Sequence, residues 1–104
     1  MKIGLQINRF TWPGEPQTIH KILTDIATTA DQGGFYSIWV MDHFFQIGYI
    51  GKPEEPMMEA YTTLGFLAGI TKHAMLGTMV TGIIYRNFRD RVPVLILCLK
   101  KNFR

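Results

Sequence analysis

Phe35-Tyr36-Ser37-Ile38-Trp39-Val40-Met41, followed directly by Asp42-His43, is the stretch that decides the fold. It is a nearly continuous run of aromatic, β-branched and other apolar side chains, without the alternation of a strand that has one wet face. Such a run reads as a strand covered on both faces, and strands of that kind belong to parallel sheets flanked by helices. Upstream, Gly33-Gly34 supplies residues tolerant of the left-handed conformation that ends helices. Before it, Ile19, Ile22, Leu23, Ile26, Ala27 and Ala30 form one stripe at helical spacing. Further back, Ile3, Leu5 and Ile7 alternate with Lys2, Gly4 and Gln6, the period of a half-buried strand. Trp12-Pro13-Gly14 and Pro16 break regular structure between the two, and Glu15 stands where a carboxylate favours the positive end of the helix dipole.

Downstream, residues 44–56 contain Gly48, Gly51, Pro53 and Pro56 and read as a long connection, a kind of loop that is often functional. Met57, Tyr61, Leu64 and Ala68 then recur at helical spacing, with Gly65 and Gly69 weakening the helix. Residues 74–80 read as a strand in which Gly77 marks a bulge or a close backbone approach. The spacing predicts strands over 2–7, 36–41 and 74–80 and helices over 18–32 and 57–70, an α/β layer whose three strands are parallel and adjacent, joined by right-handed crossovers.

The composition, 47% hydrophobic and 18% charged over 104 residues, is that of a globular chain, one domain or part of one. One cysteine, Cys98, excludes an internal disulfide, and no Cys or His spacing matches a structural zinc site, so a cytoplasmic setting is expected. The N-terminus lacks the apolar core of an export signal, and the longest apolar run, 94–99, is far short of the roughly 20 residues that cross a bilayer. Neither a membrane nor a nucleic acid is expected as a partner. The net charge of +3 sits in the tail: through Asn87 there are six basic residues against seven acidic, and from Phe88 onward five against one. A nucleic-acid groove needs basic charge spread over a folded face.

Ligands of α/β folds bind at the carboxyl ends of the parallel strands, which singles out Asp42 and His43. Neighbours at a strand end point to opposite faces, so at most one of them is expected to face a central pocket. An imidazole there can donate to a ligand carbonyl or move a proton near neutral pH; a hydrogen-bonded structural histidine is the commoner role. His20 and His73 are structural candidates by the same reasoning. Met57, Met58, Met75 and Met79, with Phe44, Phe45 and Tyr61, suit either the wall of a flat-ring pocket or core filling. The dinucleotide-binding, P-loop and zinc-protease motifs are absent.

The segments 37–45 (Ser-Ile-Trp-Val-Met-Asp-His-Phe-Phe), 59–64 (Glu-Ala-Tyr-Thr-Thr-Leu), 76–82 (Leu-Gly-Thr-Met-Val-Thr-Gly) and 85–87 (Tyr-Arg-Asn) together resemble the luciferase-like oxidoreductases, most nearly the branch that uses coenzyme F420. The resemblance covers residues 1–87. It implies a (β/α)8 TIM barrel of which this chain holds about three β/α units, and hydride transfer between coenzyme F420 and a small organic substrate. The alternatives are an FMN-dependent monooxygenase or a truncated, non-catalytic fragment. It also implies His43 as the catalytic residue, with Asp42, His43, Thr78, Met79 and Val80 at the cofactor ring, a non-proline cis peptide at Met79–Val80, and homo-oligomers among full-length relatives. The likeness stops at Phe88, where the family continues through five further units, and a TIM barrel takes about 250 residues. Residues 88–104 are therefore expected to be a divergent tail from a truncated or frameshifted reading frame, and the chain alone is expected to be inactive.

Overall fold

The computed structural model describes residues 1–82 and 84. Three short strands, β1 (Gly4–Ile7), β2 (Ser37–Val40) and β3 (Met75–Thr78), alternate with two helices, α1 (Ile19–Gln32) and α2 (Ala60–Ile70). The sheet order is β1-β2-β3. Both pairings are parallel and in one register: Leu5, Ile38 and Leu76 stand in one row across the sheet, and Ile7, Val40 and Thr78 in another. The order, the parallel pairing and the adjacency are those the sequence predicts. The strands are four residues each, shorter than predicted, although single bonds such as Tyr36 N–H to Ile3 O continue the pairing past their ends.

Because side chains alternate along each strand, Leu5, Ile7, Ile38, Val40 and Leu76 share one face of the sheet. The helices cover it: α1 and α2 touch one another, and Leu23, Ala27, Leu64 and Leu67 join Ile7, Ile38, Val40 and Leu76 in one buried cluster. Leu23 and Leu67 are almost wholly buried, and each contributes about 2 kcal/mol by leaving water. Truncating Leu23 to Ala would leave a cavity and cost about 3 kcal/mol.

The helix ends follow local chemistry. At the C-terminus of α1, Gly34 adopts φ +85°, and Phe35 N–H donates to Ala30 O at 3.0 Å, the six-to-one bond of a Schellman ending. At its N-terminus the expected role of Glu15 is not met: the first turn contains no acidic residue, and Glu15 sits in the preceding turn, where its N–H donates to Trp12 O. Helix α2 begins at Ala60, not Met57, because the Glu59 carboxylate takes the N-cap position and accepts from Tyr61 N and Thr62 N at 3.1 and 2.7 Å.

On the opposite face of the sheet the Trp39 indole lies across both neighbouring strands. Its Nε1 donates to Ser37 Oγ at 2.8 Å. A Cβ added at Gly4 would stand 3.1 Å from that Nε1, and one added at Gly77 would stand 2.6 Å from Cζ3. Gly77 thus serves a close approach, by an aromatic ring.

At the amino end of the sheet, Asp31 in the last turn of α1 is 6% exposed. Its carboxylate accepts from the backbone N–H groups of Lys72, His73 and Ala74 at 2.7–2.8 Å. Burial opposes its ionisation, but the bonds from Ala74, Lys72 and His73, aided by the nearby His73 side chain, outweigh it and hold the carboxyl below its ordinary pKa.

Candidate active site at the carboxyl end of the sheet

Parallel strands bring their C-terminal ends together, so the exits of β1, β2 and β3 form one rim. After Val40 the chain leaves the strand, and alternation between faces no longer applies. Asp42 and His43 accordingly both line one hollow of about 100 Å³, with Phe44, Met57, Glu59 and Ala60, whereas the sequence predicts at most one facing a pocket. Their environments differ: Asp42 is 3% exposed and His43 is exposed. Asp42 Oδ2 accepts from Gly82 N at 2.8 Å, tying the exit of β2 to the exit of β3.

At the β3 exit, Met79 N–H donates to Val40 O at 2.8 Å, which carries the ladder one step past the strand. The Met79–Val80 peptide is cis, as is Glu15–Pro16. The Thr78 and Thr81 hydroxyls are hydrogen-bonded to each other across this turn, and the Met79 and Val80 side chains are left exposed. Thr78, Met79 and Val80 therefore stand at the same end of the sheet as His43.

Two further contacts join the β1 exit to the long loop 41–59. Gln46 Nε2 donates to Asn8 O at 2.9 Å, and Arg9 Nη2 donates to Glu55 Oε1 at 2.8 Å in an ion pair. The sequence offers no motif for either; the one available signal is the position of Gln46 and Glu55 inside a long loop without regular structure. Of the remaining candidates, Phe44 and Met57 line the hollow, Met58 and Tyr61 pack against the core, and Phe45 and Met75 are exposed. His20 is an exposed residue in the first turn of α1, and His73 an exposed one in the turn before β3.

The rim combines an imidazole, hydroxyls and exposed apolar side chains, which suits the edge and face of a planar ring. It does not suit a phosphate: the N-terminus of α2, the natural anion site beside the hollow, is filled by the Glu59 carboxylate. Among the described residues there is no cluster of His, Cys, Asp or Glu able to hold a metal ion, and no helix long and apolar enough to cross a membrane.

No curated protein matches the sequence significantly. Among solved structures, the chain is similar to the oxygenating constituent of 3,6-diketocamphane monooxygenase from the CAM plasmid of Pseudomonas putida, a type II Baeyer-Villiger monooxygenase determined in complex with FMN. The TM-score is 0.73 at 17% identity, over 98% of this chain and 27% of that one. At that identity the likeness establishes the fold alone, a partial α/β layer similar to part of that enzyme, and the chain spans about a quarter of the other protein's length. The model of the luciferase-like monooxygenase family matches residues 1–88; the chain belongs to that family.

Proposed function

We propose that residues 40–47 and 78–82 form the ring-facing wall of a flavin site in a luciferase-like oxidoreductase, with FMN as the cofactor. The observation that carries this reading is the placement of the exposed His43 imidazole and the exposed Met79–Val80 turn on adjacent strand exits, held together by the Asp42–Gly82 bond. FMN is favoured because the solved relative was determined with it. Coenzyme F420 is the second reading, supported by the segments 37–45 and 76–82 that resemble the deazaflavin branch. When bound, either ring supplies hydride transfer, and FMN also supplies oxygen activation.

The chain's own residues would bind and orient the ring. Met79 and Val80 would back its face, Thr78 would meet its polar edge, and His43 would donate to, or take a proton from, a group at the reacting edge. Asp42 would hold the β3 turn against the ring through Gly82. A phosphate-bearing tail finds no anchor among the described residues, so the chain by itself pays the ordering cost of a flexible cofactor with few contacts to offset it. Binding of FMN in the millimolar range, worth about 4 kcal/mol, and no measurable hydride transfer are the expected results for residues 1–104. Titrating the chain with FMN and with coenzyme F420, followed by fluorescence and by backbone amide shifts, tests both readings. Shifts confined to 40–47 and 78–82 support the site, and their relative size at equal concentration chooses the ring. Shifts elsewhere, or none at millimolar cofactor, overturn it.

A further inference from the structure

We infer that Gln46 is a positioning residue that sets where His43 stands; the inference rests on the reading of His43 as the ring-facing side chain. Loop 41–59 contains no helix or strand, so tertiary contacts must decide its path. Residues 43–45 are exposed, and the residues on either side, Asp42 and Gln46, are buried. His43 is thus carried on a three-residue arch with two buried feet. The Asp42 foot is bonded to the β3 exit at Gly82. The Gln46 foot is bonded to the β1 exit, where Nε2 donates to Asn8 O. Its Oε1 accepts from Ile47 N at 2.9 Å, so both ends of the amide are engaged and its orientation is fixed.

An arch pinned to the strand exits on both sides places an exposed imidazole without burying it. That meets the need of a group that must contact a ligand and still stay within a fraction of an ångström of one position. A hydrophobic foot would fill the same space but would leave the Asn8 carbonyl without this donor and the arch free to slide along the β1 loop.

Two substitutions in the full 104-residue chain separate these roles. Gln46→Met keeps the length and apolar bulk but removes donor and acceptor. Gln46→Glu keeps an acceptor for Ile47 N–H and, as a carboxylate at pH 7, cannot donate to Asn8. The readout is the pair of His43 imidazole ring resonances, with His20 and His73 as internal controls. Both variants are expected to move the His43 signals and leave the other two in place. Exchange of the Ile47 amide should quicken about tenfold in Gln46→Met and stay near wild type in Gln46→Glu. His43 signals that coincide with wild type in both variants would overturn the inference, since mere space-filling predicts that outcome for Met. Should either variant fail to fold, the wild-type chain still decides: an Ile47 amide that exchanges as freely as an open loop shows that the Gln46 foot is not formed. Adding FMN to wild type and variants keeps the two readings apart. If His43 moves with Gln46 but no residue responds to FMN, the flavin reading fails and the positioning role stands.

Discussion

Two buried aspartates divide the work of this sheet between its ends. Asp31, at the amino end, receives three backbone N–H groups from the turn between α2 and β3. Asp42, at the carboxyl end, receives Gly82 N–H from the turn after β3. Both reach about forty residues along the chain and both are nearly inaccessible. At the base the Asp31 carboxylate gathers three backbone N–H groups with the His73 side chain near it, and a hollow of about 240 Å³ lined by Lys2 and Tyr36 opens at the same end. The rim is tied by the Asp42–Gly82 bond, next to the exposed His43, the exposed side chains of Phe44, Phe45, Met79 and Val80 and a small hollow. In α/β barrels the amino end serves stability and the carboxyl end chemistry, and the proposed flavin site assigns the two ends of this three-stranded sheet in the same way.

The largest expected effect lies at the base. Asp31→Ala removes the acceptor of three N–H groups, that of Ala74 buried and those of Lys72 and His73 part-buried, and should cost about 3 kcal/mol, read as a fall in the urea midpoint at unchanged slope. Asp31→Asn, which keeps oxygen acceptor capacity without the charge, should lose less. Acid should act on the same clamp. The folded-state pKa of Asp31 is depressed below the unfolded value of about 3.9. Its stabilisation is therefore fully present above that value and is lost as pH falls through the lower, folded-state pKa. Wild type should lose stability in that window relative to Asp31→Asn, and parallel acid profiles for the two would show that the charge contributes nothing.

Asp42→Ala removes the carboxylate that holds Gly82, a bond worth about 2 kcal/mol by itself, and should free Gly82 N–H to exchange. A loss as large as that of Asp31→Ala would erase the contrast between base and rim. A loss confined to residues 78–82 in amide exchange would sharpen it, since it would show the rim clamp acting on the turn and not on the sheet.

How much of this was legible in the sequence depended on whether a feature repeats. The apolar stripe from Ile19 to Ala30, the Gly33-Gly34 ending and the run from Phe35 to Met41 are patterns, and they gave the order and the parallel pairing of the elements. The close approach at Gly77 was legible as a class of event; that Trp39 causes it was not, because the register needed to oppose those two residues comes from pairing. Asp31 leaves one signal in the sequence: an acid in the last turn of a helix opposes the dipole, and its position, twelve residues after Ile19, extends the buried stripe. Gln46, Arg9 and Glu55 left no signal of that kind, since each acts on a partner about forty residues away. The α2 boundary failed for a local reason. Met57 is four residues before Tyr61 and extends the stripe, while glutamate is an uncommon N-cap, so periodicity ran a turn past the point where Glu59 stops it.

The ion pair between Arg9 and Glu55 predicts a small effect at the rim. The Arg9 side chain is 47% exposed and Glu55 is 15% exposed. Solvent and salt weaken such a pair, and Glu55 Oε2 is buried without a hydrogen-bond partner among the described residues. Arg9→Gln should cost about 0.5 kcal/mol at low ionic strength and less at 1 M salt, measured by chemical denaturation at both. A loss above about 2 kcal/mol, insensitive to salt, would make the pair a clamp comparable to Asp42.

The smallest expected effect on stability belongs to the residue on which the functional reading turns. His43 is exposed, sits outside the ladder and contributes no buried apolar surface, so His43→Ala should change unfolding free energy by less than about 0.5 kcal/mol. In the FMN titration the same substitution should remove the response at 40–47 while leaving part of that at 78–82, where Met79 and Val80 would still meet the face of the ring. Stability and ligand response are then carried by different residues, as expected where the chemistry stands on a rim that the base holds in place. If His43→Ala instead unfolds the chain as readily as Asp31→Ala, the imidazole is a structural partner of the loop. If it leaves every FMN-dependent shift unchanged, the ring lies elsewhere on the rim and the assignment of His43 is lost, although the division between base and rim would remain.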